Sequence, residues 1–334
     1  MLGVANSCVK WVMVTIVSDE KTGLWAALAV DRFVADRAAG GVRVKRYIDE
    51  ASALADARYL AHAMTMKSAL AGVRCGGAKV VVRADTLIDR AAAMAILGAH
   101  IESLGGRVYI GPDLGFTDAD LSALATTTRY IDSPEVAGRM ARATALGVRD
   151  CLAAALGVER LSDKIIGVQG LGHVGSELVK LLVEEGARVS GCDLDGERER
   201  AANIGIEKWE QLIDAPLDAL SPCALGGAID AAIVERLKCR ALVGAANHLL
   251  ASPEQELAAR LHARGIIHLP DFLANAGAMV WWAAEVLEGK SPVEAESAVH
   301  NIGVTAREVL AKSREKNVSP LEVARALAEE RLQA

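Results

Sequence analysis

The sequence of 334 residues is poor in aromatic side chains, has no C-x-x-C pair and shows no excess of basic residues. Aromatic residues account for only 4% of it whereas alanine is abundant, and this balance predicts many closely packed helices. A net charge of −6 leaves no basic face for nucleic acid. The cysteines are scattered, at positions 8, 75, 151, 192, 223 and 239, so we expect reduced, mostly buried thiols and no metal site.

A long apolar run is also missing. The stretch from Val9 to Val17 is apolar, but it is too short to span a bilayer, Lys10 interrupts it, and it lacks the cleavage pattern of a secretory signal. Its composition favours a strand that pairs with Leu24–Val30 across the polar turn at Ser18–Lys21. We therefore expect a cytoplasmic protein with no membrane partner.

Two kinds of pattern divide the chain. The first part mixes helical spacing, at Asp49–Met64 and Leu87–Leu104, with short β-branched runs at Ala78–Arg83 and Val108–Ile110. From Lys164 onward the order becomes strand, glycine turn, helix, strand. This alternation predicts a parallel sheet with helices on both faces, and hence an α/β protein of two domains.

The second pattern predicts its elements individually. The predicted strands are 165–169, 187–192, 241–243 and 266–269, and the predicted helices are 174–185, 292–314 and about 320–332. The last two helices each begin with a capping box and a proline at the first helical position, Ser291–Glu294 and Ser319–Glu322.

The segment from Ile165 to Gly175 contains the pattern G-x-G-x-x-G between a strand and a helix. In this pattern Gly170 permits a tight turn, Gly172 lets the backbone approach a pyrophosphate, and Gly175 lets the helix pack closely on the strand. The helix start then offers free N–H groups to the phosphates. A glycine turn that binds no cofactor is the alternative interpretation.

An acidic residue at the end of the next strand favours cofactor binding. Asp193 lies where a carboxylate accepts hydrogen bonds from ribose hydroxyls and repels a 2′-phosphate, so the motif predicts NAD rather than NADP. Arg198 and Arg200 follow closely and weaken that preference. We expect NAD to contact His173 and Val174 in the turn, where His173 is no catalyst, and Leu194 beyond the second strand.

Two lysines lie in apolar surroundings. Lys67 follows an alanine- and methionine-rich stretch, and Lys79 stands between a glycine turn and three valines. Lost hydration lowers the pKa of a lysine, and a second cation lowers it further. One lysine is therefore a candidate general base and the other an anchor for an anion. Spacing alone leaves open that both are surface lysines at loop edges.

Seven ordered segments resemble the Glu/Leu/Phe/Val dehydrogenase family, and in particular its leucine/phenylalanine dehydrogenase-like branch. They include M-T-x-K at Met64–Lys67, G-G-A-K ending at Lys79, and T-A-x-G at Thr144–Gly147. The seven segments are 22–43, 64–82, 109–115, 144–147, 222–226, 244–247 and 270–277. The sequence departs from the family pattern at Ala78, where members have a third glycine, and at Ala141–Ala143, where they have Ser-Pro.

The resemblance implies a fold and an activity. The expected fold has a substrate-binding and dimerisation domain over residues 1–132 and a Rossmann, doubly wound NAD-binding domain over 133–314, separated by a cleft. A C-terminal helix over 315–334 is expected to pack back on the first domain. The implied activity is NAD-dependent, reversible oxidative deamination of an L-amino acid, in a homodimer or a larger homo-oligomer.

The resemblance also implies roles for single residues. Lys79 would be the general base that activates water, Asp113 would relay protons and hold the substrate amine, and Lys67 would bind the substrate carboxylate beside the backbone of Gly40 and Gly41. The other substrate-binding residues would be Met64, Ala39, Gly111, Asn275, Val299 and Ile302. The other NAD-binding residues would be Thr144, Cys223, Ala224, Ala245, Asn247 and Asn275.

Two small residues favour a large apolar substrate. Ala39 stands where glutamate-using relatives have a lysine and leucine-using relatives a bulkier residue, and Gly111 stands where the latter have alanine. Both changes enlarge the expected pocket, which an aromatic or large aliphatic amino acid fills best. Val299 and Ile302 would form its other wall, or belong to the ordinary core.

Two other functions fit parts of the pattern. A shikimate- or folate-type dehydrogenase has the same two-domain plan and also uses a lysine and an aspartate, but its turnover does not depend on ammonia. A catalytically silent NAD-binding regulatory protein would bind the cofactor without turnover.

Overall fold

The computed structural model describes residues 13–132, 134–224 and 226–333. These residues form two compact units, one reaching residue 137 without residues 70–73, the other containing residues 70–73 and the chain from 138 onward. Each unit has a sheet with helices, which confirms the α/β fold class with two domains. Residues 9–12 of the predicted first strand lie outside the described residues.

The first unit contains a mixed five-stranded sheet in the order β1-β2-β4-β3-β5. Its strands are β1 (Met13–Asp19), β2 (Leu24–Val30), β3 (Ala38–Lys45), β4 (Gly76–Arg83) and β5 (Val108–Pro112), and its helices are α1 (Glu50–Leu70), α2 (Arg90–Ser103) and α3 (Asp118–Ala125). β1 pairs with β2 as an antiparallel hairpin, as predicted, while β3 runs parallel to both β4 and β5.

The two faces of this sheet differ because side chains alternate along each strand. One face places leucines and valines against α2 and α3: Leu28, Val30, Val80, Val82, Met94, Leu97 and Ile101. The other face is packed by alanines of α1, namely Ala53, Ala57 and Ala61, against Ala27, Ala29 and Val81. Small side chains on both sides let α1 lie close to the strands.

The second unit contains a parallel sheet in the order β11-β10-β9-β6-β7-β8. Its strands are β6 (Ile165–Gln169), β7 (Arg188–Cys192), β8 (Gly205–Ile206), β9 (Ala219–Pro222), β10 (Ala241–Leu242) and β11 (Ile267–His268). From the central strand β6 the chain proceeds outward to β8 in one direction, then returns to β9 and proceeds to β11 in the other. The carboxyl ends of β6 and β9 therefore flank the crevice where such sheets bind ligands.

Helices cover the second sheet. They are α4 (Pro134–Leu156), α5 (His173–Glu184), α6 (Gly196–Ala202), α7 (Trp209–Asp214), α8 (Ala231–Arg236), α9 (Glu254–Ala263), α10 (Asp271–Ala274), α11 (Gly277–Trp282), a π-helical stretch (Ala283–Leu287), α12 (Pro292–Val299), α13 (Asn301–Lys316) and α14 (Pro320–Gln333). α14 belongs to the second unit and packs against α9 and α13. No helix among the described residues is long and apolar enough to cross a membrane.

The single helix predicted over 292–314 is wrong, because it breaks at His300 into α12 and α13. The backbone tightens there: the His300 N–H donates to Ser297 O at 3.3 Å, and the Gly303 N–H donates to His300 O at 3.1 Å. The His300 side chain is tied to α4, where its Nδ1 lies 2.7 Å from Asp150 Oδ2. The capping box at Ser291–Glu294 is confirmed.

Candidate active site

The candidate catalytic residues lie on the α1-covered face of the first sheet. Lys79 shares this face with Val81, two residues further along β4, and with Arg43 of β3, which pairs with Val81. Asp113 directly follows β5, which runs parallel to β3. The topology therefore brings together three charged residues that are far apart in the sequence.

Lys79 and Asp113 form a close, buried ion pair. Lys79 is only 5% exposed, and its Nζ lies 2.5 Å from Asp113 Oδ2. Burial lowers the pKa of Lys79 below the usual lysine range, although the Asp113 carboxylate acts in the opposite direction. Burial alone would raise the pKa of Asp113, but Lys79 and Arg43 lower it below its usual range. The pair thus combines an amine whose pKa lies below the usual lysine range with a carboxylate whose pKa lies below the usual aspartate range.

Glycines next to Lys79 make room for this pair. A β-carbon at Gly41 would lie 3.1 Å from Lys79 Nζ and 2.9 Å from Asp113 Cβ, and one at Gly40 would lie 1.7 Å from the Ala78 carbonyl oxygen. Side chains at these positions would displace the pair or separate the strands. Of the two predicted substrate-binding glycines, Gly41 therefore borders the buried amine directly, whereas Gly40 lets β3 lie close to the backbone of β4.

A second close approach fixes α1, which carries Met64 and Lys67, over the lysine face. A β-carbon at Gly77 would lie 2.1 Å from the Ala61 carbonyl oxygen, so only glycine permits the helix to pass here. The Gly77 N–H donates to Thr65 Oγ1 at 3.0 Å. The threonine of M-T-x-K and the second glycine of G-G-A-K thus form one structural contact.

Sequence reasoning missed a network behind Asp113. Arg43 Nε donates to Asp113 Oδ2 at 3.0 Å, and Arg43 Nη1 lies 3.5 Å from Asp56 Oδ2. The same Asp56 oxygen accepts the Tyr47 hydroxyl at 2.6 Å and lies 3.4 Å from Lys45 Nζ. The second cation that lowers the Lys79 pKa is Arg43, where Lys67 had been the expected partner. In the sequence, the only signal for this network was the G-G-V-R segment that ends at Arg43.

Three small residues, Ala39, Gly111 and Ala78, have different surroundings. Ala39 is buried on the lysine face, as a pocket residue would be. At Gly111, however, the place of a β-carbon is not open space, because Asp132 Oδ2 lies 2.6 Å from it. Ala78 is fully buried in the opposite core with Val80 and Val82, so it does not narrow the surroundings of Lys79.

The glycine turn of the second unit follows β6, as the motif predicts. Gly170 has φ +89°, a conformation that favours glycine, and a β-carbon there would lie 2.6 Å from Ala224 Cβ. A β-carbon at Gly175 would lie 1.8 Å from the Gly170 carbonyl oxygen. At Gly172, apart from the adjoining backbone, Arg198 Nη1 at 3.7 Å would be the only atom of the described residues within 4 Å. The turn is closely packed at two glycines and open at the third.

Asp193 directly follows β7 and supports the turn. Its Oδ2 accepts from the Leu171 N–H at 2.6 Å and its Oδ1 from the Asp195 N–H at 2.9 Å. Burial alone would raise the pKa of Asp193, but these backbone hydrogen bonds lower it. Arg198 Nη1 lies 3.9 Å from Asp193 Oδ1. The carboxylate is therefore ionised and next to the turn, although a cation lies close by.

An amide cluster lies beyond β10 and α10. Asn275 Nδ2 donates to Asn247 Oδ1 at 2.7 Å and to the Ala245 carbonyl at 3.1 Å, whereas Asn275 Oδ1 is buried without a hydrogen-bond partner in the described residues. A β-carbon at Gly277 would lie 2.9 Å from the Thr144 Cα, so α11 begins against α4. The structure thus brings Thr144, Asn247 and Asn275 into one region.

The remaining predicted site residues differ in how deeply they are buried. Val299 and Ile302 are buried, with exposures of 0% and 1%. Ile302 Cδ1 lies 3.0 Å from the place of a β-carbon at Gly147. The Cys223 N–H donates to the Gln169 carbonyl at 2.6 Å beside the glycine turn, and Leu194 is fully exposed.

Comparison with known proteins identifies the family. A family model described as "Glu/Leu/Phe/Val dehydrogenase, dimerisation domain" matches residues 26–131, and one described as "Glutamate/Leucine/Phenylalanine/Valine dehydrogenase" matches residues 193–333. Leucine dehydrogenase of Geobacillus stearothermophilus is 33% identical over 335 residues, which cover 96% of this chain and 90% of that relative. The chain belongs to the Glu/Leu/Phe/Val dehydrogenase family.

Other relatives of this dehydrogenase differ in their named substrates. Leucine dehydrogenase of Thermoactinomyces intermedius is 36% identical over 80% of this chain and 76% of its own length. Phenylalanine dehydrogenase of Caldalkalibacillus thermarum is 32% identical over 96% and 90%. Among solved structures, L-tryptophan dehydrogenase from Nostoc punctiforme matches with a TM-score of 0.83 and 29% identity, covering 96% of this chain and 95% of that one. The family prediction and the fold class are therefore confirmed.

Family membership makes this protein an amino acid dehydrogenase, an oxidoreductase of a family that uses NAD. The described residues fit that cofactor. The open position at Gly172 allows a pyrophosphate to approach the backbone, and Asp193 provides an ionised carboxylate beside the turn. The unpartnered Asn275 Oδ1 suits a ligand with an amide N–H. Membership also decides against a shikimate- or folate-type dehydrogenase.

Proposed function

We propose that this dehydrogenase catalyses the reversible, NAD-dependent oxidative deamination of an apolar L-amino acid, aromatic or large aliphatic. The observation that carries the proposal is the buried Lys79 amine, held 2.5 Å from an ionised Asp113 and bordered by Gly41. Such an amine loses its proton more readily than a solvated lysine. It is suited to act as a general base.

Each charged residue of the first unit has its own role in the proposed reaction. Lys67 binds the substrate carboxylate, beside the backbone of Gly40 and Gly41. Asp113 holds the substrate ammonium and passes on its proton. Lys79 takes a proton from the water that adds to the C=N bond, after which the C–N bond breaks and ammonia leaves. Each group matches the charge that develops at its position.

NAD, when bound, accepts the hydride that leaves the substrate Cα. The glycine turn from Gly170 to Gly175 would hold its pyrophosphate, and Asp193 would accept hydrogen bonds from its ribose. Thr144, Asn247 and Asn275 would surround the nicotinamide. Further contacts are assigned to His173, Val174, Leu194, Cys223, Ala224 and Ala245.

Ala39 supports the proposed substrate class more strongly than Gly111 does, because Asp132 already occupies the space beside Gly111. No lysine is present at position 39 to meet a second carboxylate, which disfavours glutamate. The alanine leaves room for a large apolar side chain, with Met64 as a further wall residue of the first unit, while Val299 and Ile302 are buried residues of the second unit. Selectivity of this kind is worth only about 1–3 kcal/mol per methylene, so amino acids with side chains of similar size should also react.

The protein is further proposed to be a cytoplasmic homodimer or larger homo-oligomer.

A substrate screen tests the proposal. The purified protein is given NAD with L-phenylalanine, L-tryptophan, L-leucine, L-valine or L-glutamate, and NADH absorbance is followed. We expect the highest kcat/KM with an aromatic or large aliphatic substrate, and we expect no NADH formation with glutamate. The reverse reaction with the matching 2-oxo acid must require ammonia. NADH binding without oxidation by any apolar 2-oxo acid and ammonia would reject the proposal and favour a catalytically silent NAD-binding protein.

A further inference from the structure

Asp113 interacts with two cations through one oxygen. Its Oδ2 lies 2.5 Å from Lys79 Nζ and accepts a hydrogen bond from Arg43 Nε at 3.0 Å. The Arg43 side chain is only 14% exposed, so little water screens this interaction. A base that is also an ion-pair partner presents a difficulty, because the carboxylate favours the protonated amine.

Arg43 resolves that difficulty on electrostatic grounds. If Lys79 were the only counter-ion, a neutral amine would leave a buried carboxylate uncompensated, which is strongly unfavourable. An arginine guanidinium does not lose its proton in proteins, so it compensates the carboxylate whatever the state of the lysine. Its positive charge also opposes a second cation nearby. Both effects favour the neutral form of Lys79.

The structure also explains why Arg43 stays in place. One end of the guanidinium contacts Asp113, and its Nη1 lies 3.5 Å from Asp56 on α1. Asp56 itself accepts a hydrogen bond from the Tyr47 hydroxyl at 2.6 Å. Held between two carboxylates, the guanidinium cannot turn away when Lys79 changes its charge. The charged groups with the largest effect on Lys79 are Asp113, which directly follows β5, Arg43 on β3 and Asp56 on α1.

We propose that Arg43 is a positioning residue that shares the Asp113 carboxylate with Lys79 and so keeps the Lys79 amine available as a base. This inference rests on the proposed function, because it concerns the base of that reaction. Arg43 acts through Asp113 and does not itself touch the reacting atoms. Asp56 supports this role of Arg43, because it lies close to the other end of the guanidinium.

Arg43→Met tests the inference, because methionine replaces the guanidinium with a neutral side chain of comparable reach. Activity requires neutral Lys79, so kcat/KM rises with pH through the pKa of that residue. Losing Arg43 raises this pKa, and we expect the acid limb of the profile to move up by about one pH unit or more, a tenfold loss at a fixed pH on that limb. Activity should recover as the pH is raised.

Arg107→Met is the matched control, because it removes an arginine of the same unit that pairs with the exposed Asp36 at 2.9 Å. It should leave the profile unchanged, while Arg43→Lys, which keeps the charge, should shift it less than Arg43→Met. Arg43→Gln, which is also neutral, should move the acid limb in the same direction and serves if Arg43→Met does not fold. An acid limb unmoved in both Arg43→Met and Arg43→Gln, or a loss equal at every pH, would overturn the inference.

A direct titration separates this inference from the proposed function. NMR of protein with isotope-labelled lysine, assigned with Lys79→Gln, follows the Lys79 amine without any substrate. The pKa should be higher in Arg43→Met than in the wild-type protein. If the wild-type protein deaminates no amino acid and the pKa still rises, the proposed function fails and the influence of Arg43 on Lys79 stands. An unchanged pKa rejects the inference, whatever the activity.

Discussion

The two units offer their ligands opposite kinds of surface. In the first unit the binding groups are side-chain charges, and Arg43 and Lys79 both lie within hydrogen-bond distance of Asp113. In the second unit the glycine turn presents backbone, and Gly172 leaves open space where a side chain would stand. Substrate chemistry needs groups that exchange protons, whereas holding a pyrophosphate needs N–H groups that can be closely approached.

This difference predicts which changes abolish chemistry and which abolish cofactor binding. A charge lost from the lysine face should lower turnover without affecting NADH binding. A methyl group added to the glycine turn should weaken NADH binding without affecting the base. The following variants test that separation, beginning with the largest expected effect.

Lys79→Ala should cause the largest loss. Because the general base is removed, kcat should fall by about 10²–10⁴-fold, and NADH should bind as before, since the glycine turn is unchanged. Steady-state kinetics and a fluorescence titration with NADH measure the two properties. Lys312→Ala, which removes a lysine paired with Glu308 at 2.9 Å, is the control and should retain full activity. An active Lys79→Ala variant would show that another group is the base.

Gly172→Ala and Gly175→Ala form a matched pair in the glycine turn. The β-carbon of Gly175→Ala would lie 1.8 Å from the Gly170 carbonyl, so overpacking should lower the free energy of unfolding. The size of such a loss is about 1–3 kcal/mol. Among the described residues outside the adjoining backbone, the β-carbon of Gly172→Ala meets Arg198 alone, at 3.7 Å, so stability should be kept while the Kd for NADH rises about tenfold, or about 1.4 kcal/mol. Denaturant unfolding and NADH titration distinguish the two, and unchanged NADH binding in Gly172→Ala would argue against a pyrophosphate at this turn.

Asp193→Asn should change the choice between cofactors. The wild-type carboxylate is ionised and would repel a 2′-phosphate, so removing its charge should improve the NADP to NAD ratio of kcat/KM by about tenfold. The asparagine oxygen can still accept the Leu171 N–H, which keeps the turn folded. If the ratio does not change, Asp193 serves only to support the turn.

Tyr47→Phe should have the smallest effect. It removes the hydroxyl that donates to Asp56 at 2.6 Å but leaves every charge of the lysine face in place. The free energy of unfolding should fall by about 1 kcal/mol, as for a typical hydrogen bond, and kcat/KM should change little. A loss of activity as large as that of Lys79→Ala would mean that the hydroxyl takes part in the chemistry.

The two sites also differ in how far the sequence predicts them. The glycine turn lies within eleven residues, Ile165–Gly175, and each glycine has a role that its spacing specifies. The sheet order around it follows the usual rules for alternating strands and helices. Lys79 and Asp113 were predicted by resemblance to the family and by the apolar surroundings of Lys79, not by any single local pattern.

Contacts over long sequence separations account for what was missed. Arg43 and Asp113 are 70 residues apart, and their contact depends on β3 and β5 being neighbours in the sheet. At the break between α12 and α13, His300 contacts Asp150, which lies 150 residues earlier. The carboxylate of Asp132 beside Gly111 likewise has no signal in the local pattern. Such contacts are set by tertiary packing, which a local pattern does not contain.

The most direct test follows the hydrogen that leaves the substrate. The protein is incubated with NAD and L-phenylalanine deuterated at Cα, or with the best substrate of the screen labelled in the same way, and the reduced cofactor is analysed by mass spectrometry. The account predicts that the deuterium appears in the reduced cofactor, with a 2-oxo acid and ammonia as the other products. Reduced cofactor without deuterium, or none formed with any labelled apolar amino acid, would contradict it.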